Sequence, residues 1–413
     1  MKKNTEVPAI KFIDGGVCAP KGFLANGIHC GIRRNKSKRD LALIFSETDC
    51  TAAAVYTQNL VFGAPITVTR ESLANGCARA VICNSGIANT CNADGLEKAR
   101  AMRNIAAEGL KISADDIIIA STGVIGLPIN LEPIAKGMAS LADGLKADGS
   151  DFAAQAIMTT DTRKKEYAVE CNIGGKTCKI GAIAKGSGMI CPNMATMLCF
   201  ITSDTAISAA MLKIALEEAV SKSFNMLSID GDTSTNDMAS IMANGQAGNE
   251  PIETESAGFE QFKAALTELC IKVAREMVMD GEGATKLIEC IIKGAADDNA
   301  ARKMAKSVLN SSLVKTAMFG ADANWGRIIC AMGYAGVWLD VNNAGISFRS
   351  SKGKIEVCRN GSAVDFSEKK AKEILCEDEV VIEVILKDGS GTASAFGCDF
   401  SYDYVKINGD YRT

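Results

Sequence analysis

The sequence predicts a protein of the α/β or α+β class, because segments typical of strands alternate with segments typical of helices along the chain. Hydrophobic residues make up 47% of the 413 residues and charged residues 23%, which is ordinary for a globular protein with a sizeable core. Glycine occurs 38 times and proline only 7 times, which suits many tight turns. The net charge of -4 provides no basic surface, so we expect no nucleic-acid partner.

Short apolar runs predict the strands of the first half of the chain. They cover residues 41–45, 80–84 and 117–120, and the last run leads into Ser121-Thr122-Gly123. Residues 166–173 alternate between apolar and polar side chains, and the following Gly174-Gly175 indicates a hairpin with a second strand at 176–184. This second strand leads the chain to Lys185.

Amphipathic periodicity predicts the helices, which cover residues 94–110, 205–222, 259–279 and 295–313. From residue 337 onward short strands and glycine turns dominate, with one helix at 367–376. We therefore divide the chain into a main α/β domain, residues 1–285, and a smaller C-terminal α/β domain, residues 286–413.

The sixteen cysteines are scattered, and no two form a C-x-x-C pair. These spacings are poor for a metal, so we expect no metal site and mostly buried free thiols in a reducing cytoplasm. The N-terminus has no apolar segment of the signal-peptide kind, and no run approaches 18 apolar residues. We therefore expect neither a signal peptide nor a membrane span.

Two short motifs resemble ligand loops but fail on residue type. Gly174-Gly175-Lys176-Thr177 resembles the end of a phosphate loop, yet Glu170 stands where the first glycine belongs. Residues 230–234 resemble a calcium loop, yet Thr235 and Ile241 replace its glycine and its closing glutamate. We expect a hairpin turn and a polar turn at these two places.

The segment 185–204 is the most informative part of the chain for chemistry. His29 is the single histidine, so a Ser-His or Cys-His pair has one candidate base in the whole protein. Ala195 precedes Thr196 between a glycine-rich turn and an apolar strand, and cleavage there would give Thr196 a free α-amino group as its own base. On residue chemistry alone, the simpler interpretation is that Thr196 is a β-branched residue of a core strand.

Several long motifs, which follow one another in a fixed order along the chain, decide between these two interpretations of Thr196. They are Ala25-Asn26-Gly27, Asn84-Ser85-Gly86, residues 157–162, 185–204 and 230–237, Asn324-Trp325-Gly326-Arg327, and residues 403–413. Over nearly its whole length the chain resembles the ArgJ family, the ornithine acetyltransferases (glutamate N-acetyltransferases) of arginine biosynthesis. One departure is that Arg163-Lys164 stands where the family usually has Phe-Pro, which affects substrate contacts near Thr159 more than the chemistry.

The resemblance implies a fold, a processing step and a set of site residues. The fold is an N-terminal-nucleophile-like layered α/β sandwich, with helices flanking central sheets, plus a smaller C-terminal α/β domain. Self-cleavage between Ala195 and Thr196 gives an α chain, residues 1–195, and a β chain, residues 196–413, associated as an α2β2 heterotetramer. The implied roles are Thr196 as nucleophile and base, Thr122 and Gly123 as oxyanion donors, and Thr159, Lys185, Thr196, Glu282, Asn408 and Thr413 as substrate-binding residues.

The implied reaction moves acetyl from N2-acetyl-L-ornithine to L-glutamate by a ping-pong mechanism through acetyl-Thr196. It needs no metal or organic cofactor, although some family members also use acetyl-CoA as the acetyl donor. Two alternatives stay open at this stage. One is a related self-cleaving aminopeptidase, which usually has serine as nucleophile, and the other is a binding protein that retains only the fold.

Overall fold

The structure is a computed structural model that describes residues 10–191 and 197–410. The chain forms two compact units, each built from several segments. Among the described residues, the first comprises 10–186, 197–221 and 233–273, and the second comprises 187–191, 222–232 and 274–410. The domain boundary between residues 285 and 286 stays a prediction.

Strands and helices alternate along the described chain, which confirms the predicted α/β class. The strands are β1 (Lys11–Ile13), β2 (Phe23–Ile28), β3 (Leu41–Tyr56), β4 (Cys77–Ile87), β5 (Ile117–Val124), β6 (Lys165–Ile173), β7 (Lys176–Lys185), β8 (Leu198–Ser203), β9 (Leu227–Ser228), β10 (Met238–Ala243), β11 (Leu287–Ala295), β12 (Gly345–Ser350), β13 (Gly353–Arg359), β14 (Ser362–Ala363), β15 (Glu379–Ile385) and β16 (Gly391–Cys398). The helices are α1 (Ala64–Ser72), α2 (Gly95–Leu110), α3 (Glu132–Asp143), α4 (Ser150–Ile157), α5 (Ala209–Lys222), α6 (Ala257–Met279), α7 (Asp298–Asn310), α8 (Ser312–Phe319), α9 (Trp325–Gly333), α10 (Glu368–Leu375) and α11 (Tyr402–Asp410).

The first unit is built on a mixed sheet with strand order β1-β6-β7-β8-β10-β3-β4-β5, in which β2 also pairs with β3. The pairs β8–β10 and β4–β5 are parallel, so the polar residues at the ends of β4 and β5 meet at one edge. The predicted hairpin is confirmed, since β6 and β7 pair in antiparallel fashion around Gly174-Gly175. Cys171 lies opposite Cys178 in this hairpin, and both are free thiols.

Both faces of this sheet are buried, which follows from the two-residue period of side chains along a strand. On one face Ala42 and Ile44 join a core cluster with residues of α4. On the other face Leu41 and Leu43 join a cluster with residues of α2 and α3. Helices therefore flank the central sheet, as the resemblance implied.

The second unit has its own sheet, with strand order β14-β13-β12-β15-β11-β16-β9. Its core cluster combines apolar residues of β11, β12 and β15 with the apolar sides of α7 and α10. Ser367 begins α10 by accepting a hydrogen bond from the Lys370 backbone amide, which confirms a helix predicted from sequence.

Two details of the predicted elements are wrong. The predicted helix at 295–313 is two helices, because Ser311 adopts an extended conformation and caps α8 by accepting a hydrogen bond from the Val314 amide. The C-terminal region contains a further helix, α11, which sequence reasoning missed because several of its apolar side chains are exposed. All sixteen cysteines lie in the described residues, and none of them forms a disulfide bond. Within residues 10–191 and 197–410, no helix is long and apolar enough to cross a membrane.

Candidate active site

The predicted oxyanion pair lies at the end of β5, where it runs parallel to β4. Thr122 pairs with Ser85 and Gly123 pairs with Gly86 in the strand register. Gly123 has a φ of 123°, and a Cβ atom at this position would lie 2.3 Å from the Gly86 carbonyl oxygen. Only glycine tolerates this positive φ and this short distance between the two strands. Any other residue at position 123 would therefore distort the backbone here.

The side chain of Lys185 contacts the predicted oxyanion pair, although β7 and β5 are not neighbouring strands. Lys185 ends β7, is only 9% exposed, and its Nζ donates a hydrogen bond of 3.5 Å to the Thr122 hydroxyl. Burial lowers the pKa of the Lys185 ammonium group, although the carboxylates of Asp161 and Asp237 oppose this effect. Thr122 and Lys185, which are 63 residues apart, are thus neighbours in the first unit.

Asp161 connects this lysine to Thr159. Its carboxylate accepts hydrogen bonds from Lys165 Nζ at 2.5 Å, from the Gly186 amide at 2.7 Å and from the Thr159 amide at 2.9 Å. Burial opposes ionisation of Asp161, but Lys165, Lys185 and the Gly186 amide outweigh it and lower its pKa to about 2. Sequence reasoning placed Asp161 in a matched motif but missed its role, because nothing in the sequence pairs it with Lys165 and Gly186.

Asp237 is a second buried carboxyl group that sequence reasoning missed. It precedes β10, and the next residue, Met238, donates its amide to the Met197 carbonyl oxygen at 2.9 Å. Asp237 is 2% exposed, and its Oδ2 atom has no hydrogen-bond partner among the described residues. Burial raises the pKa of this carboxyl group well above its usual range, against the effects of Ser234 and Lys185.

The predicted nucleophile and cleavage site, Ala195 and Thr196, lie outside the described residues, as does Thr413. Met197, which follows Thr196 directly, is described and buried. Asp237 therefore lies beside the strand that continues from the predicted nucleophile.

The two predicted substrate-binding residues of the second unit contact each other. Asn408 Nδ2 donates a hydrogen bond of 3.0 Å to Glu282 Oε2. The Glu282 amide donates to the Ser187 carbonyl oxygen at 2.8 Å, which fixes its backbone. A Cβ atom on Gly188 would lie 2.4 Å from Oε2 of Glu282, so this glycine leaves the space that the carboxylate occupies.

Lys164, part of the departure at residues 163–164, and the single histidine both have contacts with nearby residues. Lys164 pairs with the carboxylates of Asp151 and Glu166, so its charge is compensated locally. His29 Nδ1 lies 2.9 Å from the Lys38 carbonyl oxygen and 3.1 Å from the Asp40 carboxylate. The His29 ring is therefore engaged by residues close to it in sequence, which accounts for this histidine as a residue of a loop.

The segment that resembled a calcium loop holds the backbone of a neighbouring segment of the second unit. Asp230 accepts hydrogen bonds from the amides of Met189 at 2.5 Å and Ile190 at 2.7 Å. In the part of the chain that the structure describes, no group of three or more His, Cys, Asp or Glu residues is arranged to hold a metal ion.

The fold and the clustered groups define a class: an α/β protein whose candidate site combines a glycine-containing strand end, a buried lysine and two buried carboxyl groups. Comparison with known proteins then identifies the family. The sequence model of the ArgJ family matches residues 24–413 of this chain. The chain belongs to the ArgJ family, which confirms the predicted resemblance.

Two similar proteins match almost the whole chain. The arginine biosynthesis bifunctional protein ArgJ of Caldanaerobacter subterraneus subsp. tengcongensis is 47% identical over 98% of this chain and 100% of its own length. The protein of the same name from Symbiobacterium thermophilum is 48% identical over 98% of this chain and 100% of its own length. A crystal structure of the arginine biosynthesis bifunctional protein from Bacillus halodurans is 44% identical, with a TM-score of 0.49, over 51% of this chain and 98% of its own.

Proposed function

We propose that this protein is a glutamate N-acetyltransferase of arginine biosynthesis that transfers acetyl from N2-acetyl-L-ornithine to L-glutamate. The observation that carries this proposal is identity of 47–48%, across essentially full length, to proteins named for arginine biosynthesis. The word bifunctional in those names favours a second activity, and we propose acetylation of L-glutamate by acetyl-CoA. This relationship does not favour the alternative of a self-cleaving aminopeptidase.

The proposed chemistry begins with self-cleavage. Thr196 Oγ loses its proton as it attacks the Ala195 carbonyl carbon, the peptide C–N bond breaks, and the Thr196 nitrogen takes up that proton. Water then hydrolyses the resulting ester, which leaves a carboxylate on Ala195 and a free hydroxyl and amine on Thr196. The amine has an unperturbed pKa of roughly 7.7–8.0, which suits a base near neutral pH.

In the first half-reaction the Thr196 amine takes the hydroxyl proton as Oγ attacks the acetyl carbon of N2-acetyl-L-ornithine. The carbonyl oxygen becomes an oxyanion, which Thr122 and Gly123 stabilise. The bond between the acetyl carbon and the ornithine nitrogen breaks, and this nitrogen takes the proton back from the amine. L-Glutamate then accepts the acetyl group by the reverse steps, which regenerates Thr196.

The remaining roles follow the charges of the substrates. A protonated Lys185 pairs with an α-carboxylate and Thr159 contacts the same substrate. Asp161 supports this arrangement, because it accepts hydrogen bonds from the amides of Thr159 and of Gly186, the residue after Lys185, and its charge acts on Lys185. Glu282 and Asn408, with Thr413, bind the ammonium and polar groups of the substrate. We further propose that no metal or organic cofactor takes part, that the two chains form an α2β2 assembly, and that the protein works in the cytoplasm.

The test is a transfer assay with purified protein. We expect N2-acetyl-L-ornithine and L-glutamate together to yield L-ornithine and N-acetyl-L-glutamate, with little hydrolysis when glutamate is left out. Thr196→Ala is expected to remain uncut and to lose transfer, and retained transfer in this variant contradicts the mechanism. Release of free acetate at the same rate with and without glutamate would instead indicate a hydrolase. A separate assay with acetyl-CoA and L-glutamate tests the second activity, and absence of N-acetyl-L-glutamate there would exclude it.

A further inference from the structure

Asn236 is a buried side chain whose hydrogen-bonding groups all have partners, one of which is Ser121 of β5. It is 6% exposed, and its Nδ2 atom donates to the carbonyl oxygens of Ala88 at 2.6 Å and Ser121 at 2.9 Å. Its Oδ1 atom accepts from the hydroxyls of Thr90 and Thr235, each at 2.6 Å. Two carbonyls and two hydroxyls therefore fix one orientation of the amide.

The contact with Ser121 matters because this carbonyl belongs to the same peptide unit as the Thr122 amide. A peptide unit is planar, and in the trans form its C=O and N–H point in opposite directions. Holding the Ser121 oxygen thus sets the direction in which the Thr122 N–H points. A Cβ atom on Gly63 would lie 2.8 Å from both amide atoms of Asn236, so glycine at this position leaves the space that the Asn236 side chain occupies.

We propose that Asn236 is a positioning residue for acetyl transfer, which aims the backbone at Thr122 and Gly123 through its hydrogen bond to Ser121. This inference rests on the proposed function, in which that backbone stabilises the oxyanion. Asn236 itself does not touch substrate. Its effect falls on the transition state, because the oxyanion exists only there, and binding of the ground-state substrate depends on other residues.

The chain offers a matched control in Asn249. This residue is 5% exposed, lies in the same unit, and its amide is also fully used, by the backbone of Ala206 and Glu250. Replacing either asparagine by alanine removes the same groups from a buried site. A purely structural role predicts the same kinetic result for both variants.

The experiment compares Asn236→Ala and Asn249→Ala by steady-state transfer kinetics, normalised to the fraction of cleaved chain measured by mass, alongside thermal unfolding. One well-placed oxyanion donor contributes roughly a hundred- to a thousand-fold in rate, so we expect Asn236→Ala to lower kcat by at least about tenfold with KM changed less than about threefold. Asn249→Ala is expected to keep kcat while losing comparable stability. Equal kcat in the two variants, or a loss confined to KM, overturns the proposal.

A milder variant tests the positioning role of Asn236 if Asn236→Ala does not fold or is not cleaved. Thr90→Val keeps the shape of the side chain and removes one hydroxyl that Asn236 Oδ1 accepts from. We expect it to lower kcat by a few fold with unchanged KM, and unchanged kcat overturns the proposal. Failure of the proposed function is a separate result, since the unmodified protein would then transfer no acetyl at all.

Discussion

Replacing Asp161 by asparagine tests the buried charge cluster beside the candidate site. The substitution keeps the size of the side chain but removes the charge that faces Lys165, whose side chain is 1% exposed, and that acts on the nearby Lys185. Lys165 and Lys185 are then two buried positive charges that lack the neighbouring carboxylate of Asp161. Loss of one partner from a buried ion pair typically costs about 3–5 kcal/mol, because the remaining charge cannot reach water.

The pKa of Asp161 gives an independent magnitude. A carboxyl group with a pKa of about 2 in the folded protein, compared with an ordinary value of about 3.9, contributes about 2–3 kcal/mol to stability. The sign follows from the lowered pKa: this contribution is complete above about pH 4 and is lost as the pH falls toward about 2. Asp161→Asn should therefore lose stability at pH 7 and show a weaker decline between these two values.

Equilibrium unfolding in urea at pH 7 measures the loss of free energy. The control is Glu132→Gln, because Glu132 pairs with Lys136 on an exposed surface where both side chains are more than 60% exposed. An exposed pair of this kind contributes less than about 0.5 kcal/mol. A loss in Asp161→Asn no larger than the loss in Glu132→Gln would refute the reasoning.

Two further predictions concern substrate binding. Gly188→Ala places a methyl group against the Glu282 carboxylate, so we expect KM to rise about tenfold, as loss of one charge-assisted contact implies, with little change in thermal stability. Gly333→Ala, which meets no neighbouring atom within 4 Å, is its control, and an equal KM in both variants would contradict the expectation. Because burial lowers the pKa of Lys185, kcat/KM should fall at a pH below the ordinary lysine range of about 10.4. Lys185→Arg stays protonated and should move this decline upward, so an unmoved pH profile would show that Lys185 does not cause it.

The elements that sequence reasoning predicted well are those whose patterns are local. The hairpin around Gly174-Gly175 and the helix α2 follow from alternation and from amphipathic periodicity, and both are confirmed. The break at Ser311 was missed because one serine inside an apolar pattern gives a weak signal until its capping hydrogen bond is seen.

The candidate site was predictable only through the resemblance to a family. Thr122 and Lys185 are far apart in sequence and lie on strands that are not neighbours in the first sheet, yet their side chains are in contact. Asp161, Asn236 and Asp237 were not predicted as functional, because their importance arises from burial and from partners on other strands. A sequence pattern records residue types along the chain, whereas these contacts depend on tertiary packing.

The most direct test of acetyl transfer through Thr196 is the intact mass of the purified protein under denaturing conditions, with and without N2-acetyl-L-ornithine. We predict two species, one ending at Ala195 and one starting at Thr196, with a single acetyl group on the second species after exposure to the substrate. Addition of L-glutamate should remove that group. A single 413-residue species that still transfers acetyl, or transfer without any acetyl group on the chain that starts at Thr196, would contradict the account.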